Sequence, residues 1–173
     1  MKKSLFLILK LFGVPYFVRR FLQRDQITIL LYHDIEVDTA KEHFKYLTQK
    51  YNIIDFSVLL KYFYLPNFNL PKYPLIITLD DGHKNNYYLI EVLKEYKIPI
   101  TIFICSEIVG TNKPFWFNWV KDTVFVEKLK SLPDTTRLKT LSELGFNETT
   151  ETKDREALSF NEITEMVPYV NFQ

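Results

Sequence analysis

Apolar residues fall along the chain in two kinds of run. Short stretches rich in β-branched residues, Ile27-Thr28-Ile29-Leu30-Leu31-Tyr32, Tyr51-Asn52-Ile53-Ile54, Pro74-Leu75-Ile76-Ile77-Thr78-Leu79 and Ile100-Thr101-Ile102-Phe103-Ile104-Cys105, mostly lack polar alternation. Such runs suit strands covered on both faces, as in a parallel sheet. Between them lie predicted helices from Thr39 to about Lys50, from Ser57 to Tyr64 and from about Lys84 to Tyr96. The last carries the stripe Leu89, Val92, Leu93, Tyr96. Thr39 and Glu42 have the spacing of a capping box, and the second helix stops before Pro66. Alternating strand and helix predicts a parallel sheet with crossover helices, as an open sheet or a (β/α) barrel.

After Cys105 this rhythm breaks. The segment at about 107–157 holds the aromatic cluster Phe115-Trp116-Phe117-Asn118-Trp119, a predicted helix from there to about Lys130, and the polar stretch Asn147-Glu148-Thr149-Thr150-Glu151-Thr152. It reads as an insertion after the fourth strand, at the mouth of the sheet. Trp116 and Trp119 suit stacking on a sugar, but with Val120 and Val124 they also fall at the helical spacing of a core stripe. Ser159 and Glu162 form a second capping box, opening a helix that ends near Pro168 and leads to a last strand at Val170.

The 173 residues are 47% hydrophobic, enough to bury one core, and are read as a single domain, 27–173, behind an amino-terminal segment, 1–26. A net charge of +1 gives no reason to expect nucleic acid. The lone cysteine, Cys105, excludes an internal disulfide and, within its apolar run, is expected to be a buried, inert thiol.

Residues 1–24 differ from the rest, with Lys2, Lys3, Lys10, Arg19, Arg20 and Arg24 and no acid. Lys10 and Pro15 interrupt the apolar stretch Leu5 to Val18, which argues against a spanning helix or a cleaved signal. A basic amphipathic helix fits better. It either lies on an anionic membrane surface, with Leu5, Phe6, Leu9, Phe12 and Phe17 in the interface, or packs on the outside of its own domain.

The chemistry concentrates at Leu79-Asp80-Asp81-Gly82-His83. Charge is costly inside a sheet and tolerable at the carboxyl ends of its strands, where α/β folds place their ligands. Adjacent side chains on a regular strand point to opposite faces, but Gly82 permits a sharp turn that lets Asp80 and Asp81 converge. The plain alternative is that Asp81 only caps the following helix.

Ile77-Thr78-Leu79-Asp80-Asp81-Gly82 resembles the first signature of the polysaccharide deacetylase family, the NodB homology domain of carbohydrate esterase family 4-like enzymes, usually read T-F-D-D-G. Ile29-Leu30-Leu31-Tyr32-His33-Asp34 resembles the Tyr-His strand that opens many members, and Leu158 to Met166 the helix before their second signature. The resemblance runs from about Ile27 to Gln173. It implies a (β/α) barrel, incomplete here, that uses a divalent metal, commonly zinc, to remove N- or O-acetyl groups from a polysaccharide or glycan. It makes Asp80 the general base and Asp81 a metal ligand. His33, Gly82 and His83 become residues that support the site or touch substrate, and His43 is expected to be exposed.

The family's His-Ser/Thr-x-x-His signature would follow the strand that begins at Val170, and the sequence stops at Gln173. A complete barrel takes about 250 residues. The resemblance therefore implies an amino-terminal part of a deacetylase, expected to have little metal affinity and no turnover alone. The alternative is a non-catalytic relative of the same fold that binds glycan or a membrane surface.

Overall fold

Which apolar runs pair, and which turn their second face to solvent, decides where the candidate site lies. The computed structural model describes residues 2–173. Helix α1 (Lys2–Leu11) is followed by α2 (Val14–Phe17), which runs into one π-type turn, Val18–Leu22. Then come β1 (Thr28–Tyr32), α3 (Val37–Thr48), β2 (Asn52–Ile53), α4 (Phe56–Tyr64) and β3 (Pro74–Leu79). A 3-10 segment, Lys84–Leu89, leads into α5 (Ile90–Tyr96) and β4 (Ile100–Ile102). Between β4 and the last strand lie α6 (Trp116–Trp119), α7 (Thr123–Lys130), α8 (Asp134–Glu143) and α9 (Phe160–Met166), and β5 (Val170–Phe172) ends the chain.

The strands form one parallel five-stranded sheet in the order β1-β3-β4-β5, with β2 beside β3. Ile54 N–H donates to the Leu75 carbonyl and Phe103 N–H to the Leu79 carbonyl. Carbonyls four residues apart share a strand edge, so β2 occupies the start and β4 the end of the same side of β3. The sheet is open among the described residues, and β1 and β5 bound it.

One sheet face is the main core. Leu75, Ile77, Leu79, Ile100 and Ile102 pack with Ala40 and Phe44 of α3, with Leu89, Ile90 and Leu93, and with Met166 of α9. On the opposite face Ile76, Thr78 and Thr101 are buried, but Ile29 and Leu31 of β1 are 55% and 50% exposed. The sequence predicted a β1 covered on both faces. As an edge strand it is covered on one, and its alternate residues meet solvent.

Local boundaries depart from the sequence reading for identifiable reasons. α3 starts at Val37 behind Glu36, so Thr39 and Glu42 lie inside it and form no capping box. Asp55 caps α4 by accepting from Ser57 N–H at 2.7 Å. The single helix predicted to Lys130 is two, because Asp122 accepts from the N–H groups of Val124 and Phe125 and starts α7 afresh. Val124, assigned to a buried stripe, is exposed. At α9 the Ser159–Glu162 capping box forms as predicted, and Arg155 grips the Glu162 carboxylate through both guanidinium arms. At the amino terminus Gly13, with φ 69°, separates the helices, and Pro15 sits in the first turn of α2, where its missing N–H costs nothing. The proline thus opens a helix where the sequence predicted a break.

Candidate functional site

β3 carries the two aspartates to the carboxyl end of the sheet. Asp80 is still held in the ladder, donating its N–H to the Tyr32 carbonyl at 2.9 Å. The chain then turns abruptly, with Asp81 at φ 68° and Gly82 at φ 69°. The sequence assigned the turn to glycine alone. Asp81 shares it, in a left-handed conformation that Asp tolerates better than most residues. Gly82 is needed for a second reason: a Cβ there would lie 2.8 Å from Ile104 Cγ2.

The turn sets what Asp81 meets. Its Oδ2 lies 3.5 Å from His83 Nε2, and its Oδ1 accepts from Cys105 Sγ at 3.7 Å. The hydrogen bond from His83 is the main reason that its carboxyl is held below the usual range; burial opposes this, and the charges of His83 and His33 add to it. Asp81 does not cap the following segment, which starts at Lys84 behind His83 with no side-chain cap. The plain reading of Asp81 is thereby overturned.

Asp80 and Asp81 act on a common neighbour. The Cys105 thiol is pushed up to about 11, first by burial, then by the charge and hydrogen bond of Asp81, and then by the charge of Asp80. Asp81 touches the thiol directly, and Asp80 lies within charge reach of it. Cys105 is only partly buried, not enclosed as the sequence suggested, but it stays protonated and inert. The rim is open. Four clefts of about 580, 450, 360 and 120 Å³ lie elsewhere, and neither aspartate lines any of them.

The segment between β4 and β5 folds back onto the rim. Leu158 N–H donates to the Gly82 carbonyl at 2.9 Å and Lys84 N–H to the Glu156 carbonyl at 2.8 Å, around an antiparallel bridge between His83 and Ala157. Glu156 Oε2 in turn accepts from Phe115 N–H and Asn118 Nδ2. This strap seats the His83 ring 4.7 Å from that of Phe115, which stacks on Phe117 at 5.1 Å. Trp116 packs into a separate small core with Leu129, Leu141 and Phe146, covered by Arg137, so the core reading holds for it. Trp119 lies against Phe146 and donates to the Leu144 carbonyl, with 37% of its surface exposed.

His33 is exposed at the end of β1, and its carbonyl accepts from the buried Asn86 side chain at 3.1 Å. The Asn85 side chain donates to the Asp34 carboxylate at 3.0 Å, so the turn after β1 is pinned to the segment after β3. His43 is exposed and bonded to the Tyr32 hydroxyl at 3.0 Å. Of the predicted residues, the structure brings Asp81 and His83 into contact around the Gly82 turn, with Asp80 next in the chain at the end of β3, and leaves His33 within charge reach only. Sequence reasoning missed Cys105, Phe115 and Asn86. Asn86 was legible: it stands three residues before Leu89, a polar group on the buried stripe.

These residues alone do not fit a metal centre. Zinc takes three or four N, O or S ligands, and among the described residues no group of three His, Cys, Asp or Glu side chains is placed to hold one. A protonated Cys105 is a poor ligand, which leaves Asp81 and His83.

No protein-family model and no curated protein matches the chain. Solved structures do. A de-N-acetylase from Aggregatibacter actinomycetemcomitans aligns with 84% of this chain and 53% of its own, at 16% identity and a TM-score of 0.53. IcaB from Ammonifex degensii aligns with 87% of this chain and 52% of its own, at 20% identity and a TM-score of 0.56. At such identity the likeness is one of fold, and the chain spans about half the length of each neighbour.

Proposed function

We propose that the chain is the Asp-Asp-bearing part of a carbohydrate deacetylase, with a glycan acetamide as its substrate. The observation that supports this reading is the turn at Asp81 and Gly82, at the carboxyl end of β3, where Asp81 meets His83 and Cys105 and Asp80 stands next to it in the chain. The fold shared with a de-N-acetylase supports it.

In this reading Asp80 is the base. As a water oxygen bonds to the acetamide carbon, the Asp80 carboxylate takes the water's proton. Collapse of the tetrahedral intermediate breaks the C–N bond, the nitrogen takes up the proton that Asp80 accepted, and acetic acid and a free amine leave with Asp80 ionised again. Asp81 is unsuited to that task, because His83 holds it ionised and weakly basic. We assign it to a divalent cation, and assign the ligands that these residues do not supply to polypeptide beyond Gln173. The barrel that the resemblance implies would be completed by the same polypeptide. By itself, the chain is then expected to take up no zinc stoichiometrically and to release no acetate.

Acetate release from N-acetylated glucosamine oligomers tests the reading, comparing the 173 residues with a polypeptide continuing past Gln173, each with Zn²⁺ or Co²⁺. The longer polypeptide is expected to be active and its Asp80→Asn variant to lose at least about 100-fold. An inactive longer polypeptide, or an active Asp80→Asn variant, overturns the proposal.

A further inference from the structure

Residues 1–24 carry six basic side chains and no acid, and the sequence left two fates for them: a membrane surface or the outside of the domain. The structure separates these. Along α1, α2 and the π-type turn, the large apolar side chains point into solvent, with Leu11 83% and Phe12 75% exposed, and Phe6, Phe17 and Phe21 open in the same way. No residue of α2 or the turn is buried. Tyr16, Arg19 and Arg20 border a cleft against the body at Thr48 to Asn52 and Tyr73, but the body leaves the large apolar side chains of the arm uncovered.

Apolar exposure of this extent needs an apolar environment, and the charge complement decides which. α1 rises about 15 Å, half of a hydrocarbon core of roughly 30 Å. Gly13 breaks the helix directly after it, and no described helix is long and apolar enough to cross a membrane. The arm is thus built to lie on a bilayer, and its uniform positive charge selects an anionic one.

Its attachment fixes an orientation. Tyr73 N–H donates to the Arg24 carbonyl, Tyr51 Oη to Gln23 Oε1, and Lys72 pairs with Asp25. Tyr73 stands just before β3 and Tyr51 just before β2, so the arm roots where the strands begin. Asp80 and Asp81 stand where β3 ends, about 20 Å away along its six residues. We infer that the arm docks the protein on an anionic lipid surface with the strand starts toward the bilayer and the Asp80–Asp81 rim facing away from it. A ligand of that rim is met in the aqueous phase, clear of the headgroups. This placement does not depend on what the rim does.

The test uses the full chain and vesicles of phosphatidylcholine, alone or with about 30% phosphatidylglycerol, read by co-sedimentation. The protein is expected to pellet with the anionic vesicles. Each basic residue near the surface is worth about fivefold in affinity, so Lys10→Glu with Arg20→Glu is expected to weaken binding by more than about 25-fold. Leu11→Glu with Phe12→Glu is expected to abolish it, and circular dichroism will show both variants folded because all four side chains are exposed. Brominated lipids are expected to quench the added emission of Phe12→Trp and to leave Trp116 and Trp119 of the unaltered protein unquenched. Equal pelleting with neutral vesicles, binding indifferent to the arm substitutions, or quenching of the native tryptophans overturns the inference. So does a lipid-free dimer that Leu11→Glu with Phe12→Glu dissolves, which would make a second copy the occupant.

Discussion

Replacing Gly82 by alanine is expected to damage the protein more than replacing Gly145, by an amount that can be worked out in two parts. At φ 69° a side chain sits in the left-handed region, which costs about 1–2 kcal/mol for an L-residue. The new methyl would also lie 2.8 Å from Ile104 Cγ2 and 3.4 Å from Ile104 Cβ, well inside the optimum of roughly 3.5–4.0 Å for carbon pairs. Ile104 is β-branched and flanks the strap, so relief requires a shift, and overpacking of this kind costs about 1–3 kcal/mol. The sum, about 2–5 kcal/mol, lowers the melting temperature by roughly 4–20 °C for a chain of this length. Gly145 is the control. Its φ of 81° carries the same backbone cost, but a Cβ there would meet nothing within 4 Å. Gly145→Ala should therefore lose only about 1–2 kcal/mol. Thermal melts followed by circular dichroism compare the two, and equal losses would refute the close packing of the turn against Ile104.

Two further outcomes concern Asp81. Its folded-state pKa lies below its unfolded value, so the stability it contributes is fully present above about pH 4 and is lost as pH falls through the folded value. In urea titrations the stability gap between the protein and Asp81→Asn should narrow only below about pH 4; a gap that stays constant down to pH 2.5 would contradict the His83 contact. Cys105, pushed up to about 11, should react with iodoacetamide at pH 8 at least about tenfold more slowly than in the urea-unfolded chain. Asp81→Asn should speed that reaction, and a native rate equal to the unfolded one would place the thiol away from both carboxylates.

What the sequence disclosed and what it hid divide along the range of the interactions involved. β3 was legible because six successive residues need burial on both faces, and the Ser159–Glu162 cap because its two bonds span three residues. β1 carries the same kind of apolar run but lies at an edge, and no local pattern records how many neighbours a strand will have. The Thr39–Glu42 pair shows the reverse failure: the right spacing, overrun by a helix that starts two residues earlier. At the site, the Asp-Asp-Gly turn could be read directly. Cys105, Phe115 and Ala157 reach it from 24 to 76 positions further on, from Asp81 to Cys105 and Ala157, through contacts that only the folded sheet creates.

The excursion between β4 and α9 leaves the rim after Ile102 and is fastened to it again at Ala157 and Leu158. With both ends anchored, lengthening it costs little, since doubling a flexible loop adds only about 0.6 kcal/mol of closure entropy. Residues there can be added, removed or exchanged while the strands that carry the aspartates keep their register. Such a tethered excursion is the part of the molecule freest to change length, and its anchors lie beside the turn at Asp81 and Gly82.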